Sequence, residues 1–249
     1  MPRKILTGPA LLFNVRWTFF KSSAVFGFNI FVTGLVSWGG AADKDYMVRL
    51  ITVFLGVWFM WGQALADTTT ILVLGDSLTA GYGLDPGKSM PDELQKALRT
   101  KGLDVTLINA GVSGDTAAQG AARLDWALTD DVSAVIVELG ANDALRGLDP
   151  AQAEVALREI LQKLKARQIP TLLLGMRAPP NLGADYGTKF DDMYPRLAAE
   201  YGAGLYPFYL EGVAAQTELN QADGIHPNEK GLAIIVAKIL PYVEDLIRK

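Results

Sequence analysis

The chain has 249 residues, of which 50% are hydrophobic, with 23 Lys and Arg against 27 Asp and Glu, one histidine and no cysteine. The missing cysteine excludes disulfides, thiol catalysis, zinc–thiolate sites and a lipid-anchored N-terminal cysteine. Charge is unevenly spread: residues 1–66 hold six basic residues against only Asp43 and Asp45, whereas residues 67–249 carry a net −8, which argues against a nucleic-acid partner needing a basic face.

Residues 1–46 combine a basic start (Arg3, Lys4, Arg16, Lys21) with an uncharged run from Ala24 to Ala42. That run is about long enough to span a bilayer, but Asn29 and the glycines at 27, 34, 39 and 40 make it a mediocre span. From Met47 the parts fall in a telling order: Arg49, an apolar core from Leu50 to Trp61, and Ala64-Leu65-Ala66 before Asp67. This is the order of a secretory signal peptide. The expected organisation is therefore an upstream extension or anchor over 1–46, a signal peptide over 47–66 and one folded domain over 67–249. It predicts a periplasmic or secreted protein cleaved near Ala66, or a membrane-anchored one if residues 1–66 are retained. A 183-residue remainder suffices for one core burying roughly 70% of its unfolded surface.

From Thr68 onward apolar strands alternate with amphipathic helices. Ile71-Leu72-Val73-Leu74 reads as a short buried strand running into Gly75-Asp76-Ser77-Leu78, so a serine is delivered to a strand end. A glycine-rich loop then leads to Ser89-Met90-Pro91-Asp92, the cap of a helix through Leu94 and Leu98. Val105–Ile108 form a second strand ending near Gly111-Val112-Ser113-Gly114, followed by an alanine-rich helix to about Leu128. Ala134–Leu139 form a third, ending at Gly140-Ala141-Asn142-Asp143. Asp149 and Pro150 open a helix whose Leu157, Ile160, Leu161 and Leu164 share one face. A fourth strand at Leu172–Leu174 precedes an irregular loop from Met176 to Gly187, a helix near Phe190–Tyr201 and a weak fifth strand around Leu205–Phe208. The last helix is expected to start at His226-Pro227 and to kink at Pro241. Strand and helix alternating through short connections imply a parallel sheet covered on both faces, an α/β fold with its ligand crevice at the carboxyl ends of the strands.

The polar clusters collect at that edge. A serine hydroxyl is a weak nucleophile until a base takes its proton, and the usual base is an imidazole oriented by a carboxylate. His226 is the only histidine, and Asp223-Gly224-Ile225-His226-Pro227 places an acid three residues before it with a glycine to make the turn. An acyl-transfer site also needs donors for the oxyanion. The Ser77 and Gly114 backbone N–H groups and the Asn142 amide qualify. Each residue alone has a plain alternative: Ser77 and Asn142 as helix caps, Gly114 as a turn glycine, His226 as a cap or surface residue.

Together, Gly75-Asp76-Ser77-Leu78, Gly114, Gly140-Ala141-Asn142-Asp143 and Asp223-Gly224-Ile225-His226 resemble the four sequence blocks of the SGNH hydrolases, or GDSL-type esterases, over residues 69–240. The flanking residues resemble the branch of periplasmic thioesterase, arylesterase and lysophospholipase enzymes. The resemblance implies a three-layer α/β/α sandwich with a five-stranded parallel, flavodoxin-like sheet and chemistry without metal or cofactor. It implies Ser77 as nucleophile, His226 as base, Asp223 as orienting acid, and Ser77, Gly114 and Asn142 as oxyanion donors. The expected substrate is a small-molecule or lipid ester, compatible with transient contact at a membrane surface. Ala141, where the family often has a second glycine, would stiffen this loop.

Leu145, Met176, Leu182 and Ile225, all near strand ends, favour a longer or aromatic acyl group over acetyl, although the same residues also suit an ordinary core. A sugar-ester deacetylase of the same fold and a non-catalytic module binding envelope lipid or glycan are the alternatives. Gly87-Lys88-Ser89 fails as a phosphate-binding loop, because that motif needs glycine where Tyr82 stands.

Overall fold

The computed structural model describes residues 68–248. The expectations for residues 1–66 lie outside the described residues. Five strands form one all-parallel sheet: β1 (Thr69–Gly75), β2 (Val105–Gly111), β3 (Val132–Glu138), β4 (Thr171–Leu174) and β5 (Gly204–Tyr206). Their order is β2-β1-β3-β4-β5, the flavodoxin-like arrangement. The helices, in chain order, are α1 (Ser77–Ala80), α2 (Met90–Thr100), α3 (Ala117–Ala127), α4 (Ala141–Leu145), α5 (Pro150–Ala166), α6 (Ala184–Tyr201) and α7 (Glu229–Ile247).

Central strands covered on both faces must be apolar along their whole length, and β1, β3 and β4 are buried almost throughout. Edge strand β2 is half-buried over most of its length. On one side of the sheet α2 packs on α7; α3 packs on α5, and α5 on α6. Local chemistry sets the helix starts. Ser89 and Asp92 close a capping box at α2, Thr116 and Gln119 close another at α3, and Asp149 caps α5 with Pro150 following.

Two helix starts differ from expectation. Helix α6 begins at Ala184, not near Phe190. The Pro- and Gly-rich stretch is loop only through the 3₁₀ turn Pro180–Leu182 and Gly183, which takes a φ of +86°. Gly187 then lies inside the helix, whose first turn is held by the Tyr186 ring stacked one turn on against Phe190 and by a tertiary hydrogen bond from the Tyr186 hydroxyl to the Leu148 carbonyl at 2.7 Å. Helix α7 starts at Glu229, not at His226-Pro227. A residue before proline avoids helical backbone, so His226 stays in the loop and Asn228 caps the helix, its Oδ1 accepting from the Lys230 and Gly231 N–H groups. The helix continues through Pro241.

Strand order reverses between β1 and β3, which opens a crevice at their carboxyl ends. Ser77 follows β1 and Asn142 follows β3, so both flank the crevice.

Candidate active site

Asp76 turns the chain from β1 into α1. Its Oδ1 accepts from the Leu78 N–H at 3.0 Å, which leaves Ser77 as the first helical residue, half-buried at the crevice. Gly75 is required here on steric grounds, since a Cβ would lie 2.0 Å from Thr79 Oγ1 and 2.8 Å from Glu138 Oε2.

Ser77 Oγ lies 2.9 Å from His226 Nε2, and His226 Nδ1 lies 2.7 Å from Asp223 Oδ2. The other Asp223 oxygen accepts from the backbone N–H groups of Ile225 and His226, both at 3.0 Å. Gly224, at φ +75°, permits the reversal that brings the carboxylate back to the imidazole. Desolvation pushes the Asp223 carboxyl up, but the His226 and Ile225 amides and the imidazole together outweigh it and hold the pKa down at about 2. Asp223 is thus an anion with three donors. The loop is tied to its surroundings: Gln221 donates its backbone N–H to the His226 carbonyl and its side-chain amide to the Tyr82 and Pro227 carbonyls. The Tyr82 ring packs on the imidazole with centroids 4.6 Å apart.

Among the described residues, neither the Ser77 nor the Gly114 backbone N–H donates to a protein acceptor. Gly114 sits at φ +89°, and its carbonyl accepts from Arg146 at 2.6 Å. Asn142 differs from the expectation in one respect. Its Nδ2 donates to Asp76 Oδ2 and to the Asp115 carbonyl, each at 3.0 Å, so both amide hydrogens are committed. Donation to an oxyanion requires Asn142 to share or release one of them.

A cavity of about 480 Å³ opens beside Ser77, and Leu145, Met176 and Ile225 line it together with Tyr82, Ala178, Pro179, Phe208 and Leu210. Leu182 does not line it. It sits on the 3₁₀ turn and points toward Gly147, its Cδ2 3.8 Å from where a Cβ on that glycine would lie. Arg177 is the cation on the wall, with its guanidinium 4.9 Å from the centre of the Phe208 ring. Among the described residues there is no group of three or more side chains able to hold a metal ion.

Sequence reasoning missed the polar layer behind the nucleophile. Asp76 and Glu138 are fully buried side by side, and the Asp76 backbone N–H lies 3.4 Å from Glu138 Oε2. Burial, partly opposed by the Leu78, Glu138 and Asn142 hydrogen bonds, pushes the Asp76 carboxyl up to about 6. Burial and then the neighbouring Asp76 charge push Glu138 well above the usual carboxylate range. Arg123 braces the same layer, bonding Asp115 at 2.6 Å and the Gly75 carbonyl at 2.8 Å. The available signal was a glutamate inside an otherwise apolar strand, Ala-Val-Ile-Val-Glu-Leu.

Comparison with known proteins matches residues 73–234 to the model of the GDSL-like lipase/acylhydrolase family. The chain belongs to that family. This GDSL-type chain is 40% identical over 199 residues to the esterase TesA of Pseudomonas aeruginosa, covering 80% of the chain and 98% of the relative. It is 40% identical over 183 residues to the thioesterase 1/protease 1/lysophospholipase L1 of Escherichia coli K12, covering 73% of the chain and 86% of the relative. Among solved structures, AlinE4, an SGNH-hydrolase family esterase, matches with a TM-score of 0.62 at 49% identity, covering 73% of the chain and 98% of that structure. The α/β/α fold and the serine-hydrolase class are those of this family.

Proposed function

We propose that the chain hydrolyses carboxylic esters and thioesters through an acyl-enzyme on Ser77. The observation that carries this reading is the unbroken hydrogen-bonded line from Ser77 Oγ to His226 Nε2 and from His226 Nδ1 to Asp223, at 2.9 and 2.7 Å. His226 takes the hydroxyl proton as Oγ attacks the acyl carbon. The Asp223 carboxylate fixes the tautomer and stabilises the imidazolium. The Ser77 and Gly114 N–H groups and the Asn142 amide receive the charge that develops on the carbonyl oxygen. Collapse of the tetrahedral species breaks the bond to the leaving alkoxide or thiolate, to which His226 returns the proton. Water activated by His226 then attacks the acyl-serine and releases the acid, restoring Ser77.

The wall of Leu145, Met176, Phe208, Leu210 and Ile225 supports a longer or aromatic acyl group over acetyl, and so disfavours a sugar-ester deacetylase. The names of the relatives, an esterase and a thioesterase/lysophospholipase, support esters and thioesters as the bonds cleaved. Export to the periplasm or beyond, with cleavage near Ala66, is part of the proposal and rests on the order of charges, apolar core and small residues over 47–66.

A serine-directed fluorophosphonate should label Ser77 in the wild type and leave Ser77→Ala unlabelled. A panel of p-nitrophenyl esters from acetyl to palmitoyl, run beside acyl-CoA and lysophospholipid, should show the highest kcat/KM above acetyl. A folded wild type that takes no label would overturn the mechanism, and a sharp acetyl optimum would restore the deacetylase reading.

A further inference from the structure

Asp76, the residue after β1, and Glu138, the last of β3, are adjacent and both buried, with the Asp76 N–H 3.4 Å from Glu138 Oε2, and among the described residues no Lys or Arg pairs with either carboxyl group. Two ionised carboxylates cannot share such a site, because neither is solvated and each repels the other. The pair therefore keeps one proton. Its hydrogen-bond partners say which residue carries it. Asp76 acts as an acceptor on both oxygens, from the Leu78 N–H at Oδ1 and from Asn142 Nδ2 at Oδ2. Glu138 Oε2 accepts from Thr79 Oγ1 at 2.8 Å and from the Asp76 N–H at 3.4 Å, whereas Oε1 is buried and, among the described residues, has no donor. A proton on Glu138 gives Oε1 a role and gives Asp76 a further donor.

We propose that Glu138 is a positioning residue: as a neutral acid it donates a hydrogen bond to the Asp76 carboxylate, and Asp76 so held aims the Asn142 amide and the Ser77–Leu78 backbone at the reacting carbonyl. The proposal rests on the reading of Ser77 and Asn142 as oxyanion donors. It also places one negative charge, rather than two, behind the point where the oxyanion forms. The remaining titratable neighbours do not replace this device. From α4, the Asp143 carboxylate accepts from the Ala117 N–H. Tyr194 on α6 donates to the Leu139 carbonyl. Tyr209 is a buried phenol with no partner among the described residues, pushed up by burial and then by the two carboxyl groups. Arg123 on α3 is taken by Asp115 and the Gly75 carbonyl. His226, before α7, gains its positive charge during turnover and then favours an ionised Asp76.

Infrared spectroscopy of the resting full-length enzyme at neutral pH should show a protonated-carboxyl C=O band that shifts on ¹³C labelling of glutamate and is missing in Glu138→Gln. Glu138→Met, which fills the space without a polar atom, should lower kcat by about 10- to 100-fold with KM within a few-fold, as a small misplacement of reacting groups does. Glu138→Gln can donate from Nε2 to Asp76 and accept from Thr79, and should recover most of that kcat. The wild-type kcat should fall at alkaline pH as the shared proton leaves, and the Gln variant should lack this fall.

A glutamate that is ionised by infrared, or a well-folded Gln variant as impaired as Met, would overturn the proposal. Should Glu138→Met fail to fold, the infrared band and the Gln pH profile decide the matter without it. Asn142→Ala separates this idea from the one beneath it. Unchanged kcat there sinks the oxyanion reading, while a large loss there beside an unimpaired Glu138→Met sinks the role of Glu138 alone.

Discussion

Two aspartates flank Ser77, and their surroundings drive them in opposite directions. Asp223 lies in a partly exposed loop, receives three hydrogen bonds from one dipeptide and the imidazole, and is held at about 2. Asp76 lies beneath the nucleophile, fully buried against a second carboxyl group, and is pushed up to about 6. The same side chain is thus a fixed anion on the solvent side and half of a proton-sharing pair on the core side. Environment, not residue type, assigns the roles. The solvent-side acid serves a base that must gain and lose a proton in every turnover. The core-side pair serves donors that must stay still.

Breaking the solvent-side line should have the largest effect. Ser77→Ala and His226→Ala should each lower kcat by roughly 10⁶-fold, and the double variant should be little worse than either, since half a relay activates nothing. Single-turnover ester hydrolysis checks this, and full activity in His226→Ala would end the hydrolytic assignment of these residues. Asp223→Asn should cost less, about 10⁴-fold in kcat, because the imidazole keeps a neighbour and loses orientation and the stabilising charge. Asn142→Ala, on the side joined to the core pair, should cost roughly 10²- to 10³-fold in kcat with KM within a few-fold. A rise in KM at constant kcat would instead assign Asn142 to ground-state binding.

The smallest effect is on stability, and it sharpens the contrast in sign. Glu138 has a folded pKa above its unfolded value, so from about pH 4.5 upward the folded state holds a proton that the unfolded state has lost. Its contribution therefore falls as pH rises, by up to about 1.4 kcal/mol per pH unit until the folded pKa is passed. Replacing it with Gln removes that slope, so the Tm of Glu138→Gln relative to wild type should climb between pH 5 and 8. Asp223, depressed in the fold, acts oppositely: its contribution is present at neutral pH and lost as pH falls toward 2. A Tm difference for the Gln variant that is flat with pH would mean that Glu138 titrates normally in the fold.

Much of this molecule is legible in its sequence. Apolar runs bounded by glycine located the five strands, and the cap at Ser89 and the Asp149-Pro150 pair marked helix starts, because these signals act within a few residues. Ser77, Asp223 and His226 stood out for a similar reason. A lone histidine three residues after an acid, and a serine at a strand end, are chemical combinations visible in one dimension. The first six residues of helix α6 continue a loop-like Pro–Gly pattern, and the Tyr186 contacts that hold this turn involve residues the local pattern does not show. Leu182 is off the cavity wall although it lies near a strand end, because that proximity says nothing about which way a side chain on a 3₁₀ turn points. Likewise, that both Asn142 hydrogens are already spoken for depends on Asp76 and Asp115, which approach it from two other strand ends.

The order of elements and the kinds of chemistry at each strand end follow from local periodicity and residue type, and so are written in the chain itself. The sharing of a proton between Asp76 and Glu138 follows from folding alone. They stand 62 residues apart, and a carboxyl group becomes costly to ionise only when folding has removed its water and brought the second one into contact.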